Sequence, residues 1–140
     1  MKKTALICCI LLMVVSCGKK EIKPVSRESK TALAAFKLAD TIRQDFIKHD
    51  MEAIRRNSTE KGYKDITSGS ARFDSLELSF TPRWVEIDRD KLVLNISWTS
   101  NWVIGGKKKE DSGMAVFIME GIPLKMAGIE RANPFVPPSQ

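Results

Sequence analysis

A short polar stretch, Thr67 to Ala71, divides this chain into two parts whose apolar residues recur with different periods. Before it, Ala32, Ala35, Phe36, Ala39, Ile42 and Phe46 fall three or four residues apart, as on one face of an α-helix. After it, Leu76, Leu78 and Phe80 alternate with Glu77, Ser79 and Thr81, the period of a half-buried strand. The stretch itself carries Gly69 between two serines, which suits a break between elements. Helices first and strands afterwards is the order of an α+β domain.

In the first part, Ser26 to His49 is predicted to be one long helix, with Ser26 or Ser29 as its cap. Lys48 and His49 then stand at the negative end of its dipole. Asp50 reads as the cap of a second helix, Met51 to Arg56, and Ser58 or Thr59 opens a third turn that should end near Gly62-Tyr63. In the second part the alternation changes parity at Pro82: Val85 and Ile87 take the phase that Leu76 and Leu78 leave. This indicates a bulge or bend in an edge strand. Asp88-Arg89-Asp90 is a turn. Leu92, Leu94, Ile96, Trp98, Trp102 and Ile104 then hold one face of a strand long enough to coil strongly. Gly105-Gly106 and Lys107-Lys108-Lys109 are expected at an exposed hairpin tip. Met114 to Met119, apolar on both faces, reads as a central strand. A turn at Glu120 to Pro123 leads to a last strand, Leu124 to Ile129, and Pro134, Pro137 and Pro138 mark an extended tail, 136–140 being its Pro-rich end.

The beginning of the chain constrains location rather than fold. Lys2 and Lys3 precede an unbroken apolar run of eleven residues, Ala5 to Val15, with the small Ser16 after it. This is the layout of a secretory signal, 1–16, and it falls short of the roughly 20 residues of a membrane-spanning helix. Val14-Val15-Ser16-Cys17 resembles the lipobox of bacterial lipoproteins. The resemblance implies cleavage before Cys17, a diacylglyceryl group on its sulfur and an acyl chain such as palmitate on its new amino group. Two or more acyl chains anchor a protein stably to a membrane. Gly18 in the following position implies the outer membrane, facing the periplasm, or the cell membrane in a host with only one. Gly18 to Val25 would be a tether, with Lys19, Lys20 and Lys23 close to the lipid.

Removing the first 16 of 140 residues leaves 124, and the loss of Lys2 and Lys3 lowers the charge from +6 to +4. That is one domain, large enough for a core without staples. All three cysteines lie in the first 17 residues, so no disulfide framework is expected. A single histidine argues against a His-based metal site. No cofactor is expected either: the sequence contains no G-x-G-x-x-G, P-loop or G-x-S-x-G motif. The basic residues are scattered among 17 acidic ones, which does not make a nucleic-acid surface.

The long helix, the "KHDMEAI" joint into a short one, the polar gap and the long strands together resemble the nuclear transport factor 2-like superfamily. The ending "FIMEGIPLKMAGIERANPF" is similar to its usual close of strand, glycine turn, strand and Asn-Pro-Phe. The resemblance covers residues 28 to 135, within a domain bounded at 26 and 135. Pro123 departs from it, standing where many members carry a tryptophan. It implies a long helix and short helices packed on a curved, four-stranded, mainly antiparallel sheet, cone-like, with a cavity at the open end. Isomerases and dehydratases of that group place carboxyl, tyrosine or histidine groups inside the cone. No such residue is carried over here by motif.

Candidate site residues follow from the pattern. His49, four residues after Asp45, could meet it on one helix face as an oriented general base. Trp98 and Trp102 share a strand face, with Ser100 as a small notch between them. With Phe36, Ile42 and Phe46 from the long helix they either pack simply under that helix, the reading favoured here, or line a pocket for a small apolar ligand. On the other face Asn95, Ser97, Thr99 and Asn101 form an uncharged polar row suited to solvent, to a homodimer or to another protein partner. The expectation is a lipid-anchored envelope protein with a non-catalytic ligand-binding or accessory role. A small isomerase or dehydratase and a partner-binding module are the alternatives.

Overall fold

A computed structural model describes residues 26–69 and 72–139. The expected signal segment, the lipobox with Cys17 and the tether lie outside these residues. Three helices, α1 (Arg27–Ile47), α2 (Met51–Arg56) and α3 (Glu60–Thr67), precede four strands. The strands are β1 (Ser75–Asp88), β2 (Lys91–Ile104), β3 (Lys107–Glu120) and β4 (Lys125–Arg131). They form one antiparallel sheet in the order β1-β2-β3-β4.

Each helix starts on a side-chain cap. Ser26 Oγ accepts from the amide of Ser29, Asp50 Oδ1 from Ala53 and Thr59 Oγ1 from Gly62, each satisfying an amide that has no partner within the helix. α1 buries Ala35, Ala39, Ile42 and Phe46 against the sheet. The two alanines let its backbone approach closely, and Arg43 fixes its height by donating from Nη1 to the Leu78 carbonyl at 2.9 Å.

β2 presents Leu92, Leu94, Ile96, Trp98, Ser100 and Trp102 to the helices, all buried. In β1, Pro82 pairs with Ile96 and Trp84 with Asn95, so Arg83 is an extra residue. This bulge is the physical content of the parity change at Pro82. It keeps Phe80 on the inner face before it and Val85 after it, and Trp84 on the outer face. A second bulge, at Ala127, lies between the Ile118–Gly128 and Met119–Met126 pairs. Bulges increase local twist and bend, and the sheet curves around α1.

Three elements differ from the sequence reading. α3 runs through to Thr67, and Gly62 lies inside it: a β-carbon there would collide with the Met126 carbonyl, so the helix crosses β4 at backbone contact. β3 begins at Lys107, seven residues before the apolar run, because its first half is an uncovered strand that needs no apolar residues. The tail is not all exposed either: Phe135 is fully buried, and Asn133 holds it by donating to the Asp65 carbonyl at 2.7 Å and accepting from the Phe135 amide at 3.0 Å.

Candidate functional site

Between α1 and the far half of β2 the inner face is built from aromatic rings. The Phe46 ring centroid lies 5.8 Å from Phe73, 4.9 Å from Phe135 and 6.3 Å from Trp102. Phe80 meets Phe117 edge-on at 5.4 Å, and Phe117 lies 6.3 Å from Phe135. The Phe46–Phe73 and Phe117–Phe135 pairs are stacked and the others tilted or edge-on, all arrangements that rings favour over a face-to-face sandwich. Among the pocket-lining candidates, Ile42, Phe46 and Trp102 are therefore brought together as core, with Phe36 packed against its margin.

The polar ends of both tryptophans are satisfied. Trp102 Nε1 donates to Ser100 Oγ at 3.0 Å, so the serine expected as a notch is the indole's acceptor. Trp98 Nε1 donates to the Ala132 carbonyl at 3.1 Å, and its ring lies against Gly113. Trp98 thus clasps the chain beyond β4. Phe73 and Phe135, which join Phe46 and Trp102, lie in a loop and in the tail, where no periodicity marks them.

His49 does not sit on the helix face with Asp45. α1 ends at Ile47 with Lys48 as its C-cap, and His49 follows with φ of 58°, in the left-handed region. Its exposed ring stacks on Phe73 at 4.4 Å. The described residues show no hydrogen bond between it and Asp45, whose Oδ2 is buried without a partner. Among the described residues no group of three or more His, Cys, Asp or Glu is placed to hold a metal ion.

The outer face of the sheet is less uniform than an exposed polar row. Thr99 and Asn101 are exposed, Asn101 donating to Glu77 at 3.3 Å, and Ser97 accepts from Arg83 Nε at 3.0 Å. Asn95, in contrast, is only 2% exposed, and its Nδ2 has no acceptor. Its neighbours across the ladder are Trp84 and Val116. Trp84, 51% exposed, and Met114, 45% exposed, stand on the same face.

A cleft of about 480 Å³ opens at one end of the molecule. The first turn of α1 (Arg27, Glu28, Thr31), the β1–β2 turn (Arg89, Asp90, Lys91) and the β3–β4 turn (Gly121, Ile122) line it.

No protein-family model matches the sequence, and no curated protein matches it. Solved structures do. A nuclear transport factor 2-like superfamily protein from Salmonella enterica serovar Typhimurium superposes with a TM-score of 0.59 at 13% identity, over 74% of this chain and 93% of that one. Bd1075 from Bdellovibrio bacteriovorus gives a TM-score of 0.57 at 16% identity, over 78% of this chain but only 44% of the other. Three helices on a curved, open, four-stranded antiparallel sheet, shared with these proteins at such low identity, show the architecture: the chain has the nuclear transport factor 2-like α+β fold.

Proposed function

We infer that this chain is a lipid-anchored accessory protein of the bacterial envelope, and that its domain works by binding rather than by catalysis. Cys17 carries the anchor, at the outer membrane facing the periplasm, or at the cell membrane of a host with a single membrane. The outer sheet face is the binding surface, and its first partner is a second copy of the chain.

One observation carries the binding half of this reading. Asn95 Nδ2 is buried without an acceptor, beneath a face that leaves Trp84 and Met114 half exposed. A two-fold partner laid on that face would cover both of these apolar side chains. A small-ligand reading draws support from the cleft of about 480 Å³, a size within the range of ligand pockets. The isomerase or dehydratase alternative would depend on His49, which is exposed and stacked on Phe73, or on Asp45.

Each half of the proposal has its own test. Sedimentation velocity on the detergent-solubilised full chain should give a dimer, and Trp84→Glu should give a monomer with the circular dichroism of the wild type and a melting temperature lowered by the loss of the bound partner. A wild-type monomer that captures no envelope protein in a pull-down would overturn the sheet-face reading, and a monomer that captures one specifically would replace the second copy with that partner. For the anchor, Cys17→Ser should move the protein from the membrane to the soluble fraction. Retention at the membrane would overturn that half.

A further inference from the structure

We propose that the domain has a fixed orientation, with the end formed by the start of α1, the β1–β2 turn and the β3–β4 turn resting on the bilayer leaflet that carries the lipid of Cys17. This rests on the reading of Cys17 as the anchor.

The chain enters the domain at that end. α1 begins at Arg27, and its first turn lines the same cleft as Arg89, Lys91, Gly121 and Ile122. The eight residues between Cys17 and Ser26 span at most about 29 Å even when fully extended. The anchored leaflet is therefore within reach of this end before any other.

The same end carries an uncovered apolar tip. Ile122 is fully exposed on the β3–β4 turn, and Ile87, 39% exposed, lines the cleft beside it. A lone exposed isoleucine is unremarkable on a protein surface. One at the tip of a turn, on the end where an anchored chain enters, is placed to enter the headgroup region. The charges fit the same surface. Arg27, Lys30, Arg89, Lys91 and Lys125 at this end outnumber Glu28, Asp88, Asp90 and Glu120 by five to four. Anionic lipids attract such an excess.

The antiparallel order sends the lysine-rich β2–β3 turn to the opposite end of the sheet. β2 runs from Lys91 to Ile104, so Gly105-Gly106 and the lysines that follow lie about 45 Å along the strand from this end. Lys107, Lys108 and Lys109 then face away from the leaflet.

The mature chain's only cysteine is Cys17, so an introduced cysteine is the sole free thiol in the lipidated protein. Ile122→Cys and Lys108→Cys, each labelled with an environment-sensitive fluorophore, are reconstituted as the full lipidated chain into phosphatidylcholine–phosphatidylglycerol vesicles. The label at 122 should be quenched several-fold by nitroxide-bearing lipid and shielded from aqueous iodide. The label at 108 should show the reverse. Ile122→Asp should abolish lipid quenching of a label at Lys30→Cys while the protein stays on the vesicles. If both labels are equally open to iodide on vesicle-bound protein, the docked orientation is wrong and the anchor stands. If Cys17→Ser remains vesicle-bound, the anchor reading fails and this proposal fails with it.

Discussion

Two glycines separate the reasons why a chain uses this residue. At Gly62 a β-carbon would fall on the Met126 carbonyl, so Gly62→Ala must push α3 off β4. Overpacking of this kind against backbone should cost about 2–4 kcal/mol. At Gly105 nothing lies within reach, but φ is +57°, so Gly105→Ala should lose only about 1 kcal/mol to left-handed strain. Urea denaturation of the two variants should rank them in that order, and equal losses would mean that α3 and β4 do not touch at Gly62. The contrast also explains a limit of reading sequence. A glycine beside Tyr63 looks like a turn, because conformational freedom is a local property. The carbonyl that demands it belongs to Met126, on the last strand. His49 misleads in the same way: four residues from Asp45 places it on one helix face only if the helix continues, and it ends at Ile47.

At the scale of elements, patterns that are periodic were legible and those that are not were not. The caps Asp50 and Thr59 and the parity change at Pro82 each appear in the structure, because each is a local rule. The first half of β3 carries no such pattern, because residues 107–113 form a strand without a buried face to mark it. The bulge makes a specific prediction about chain length. Without Arg83, Pro82 and Trp84 become consecutive opposite Ile96 and Asn95, so no side chain changes face. Deleting Arg83 should therefore cost only about 1–2 kcal/mol, from lost curvature and the lost bond to Ser97. Deleting Ser79 removes one residue from a regular stretch and turns the buried Leu76 and Leu78 to the outer face. That should cost about 4 kcal/mol or more, at roughly 2 kcal/mol for each leucine. Thermal denaturation of the two deletion variants decides the matter, and equal melting temperatures would deny that Arg83 is the unpaired residue.

For the whole molecule, the open question is whether the interior is a core or a vessel, and the tail decides it. Phe135 is fully buried, 4.9 Å from Phe46 and 6.3 Å from Phe117 by ring centroids, and it is held there by Asn133. In the sequence Phe135 stands out only as the last residue of the Asn-Pro-Phe close, at the edge of the domain. A single aromatic outside any periodic element carries no signal of burial, yet here it joins α1, the sheet and the chain end. Phe135→Ala should cost about 3–5 kcal/mol, as large-to-small changes of a buried ring do. It should also leave an apolar space of the kind that binds benzene. Melting with and without dissolved benzene then separates two views of the fold's function. A packed core predicts that benzene raises the melting temperature of Phe135→Ala and leaves the wild type unchanged, since only a ligand bound to the native state shifts it. A rise of the same size in the wild type would mean that the interior already accepts a small apolar molecule, and the ligand-binding role would displace the sheet face as the site of action.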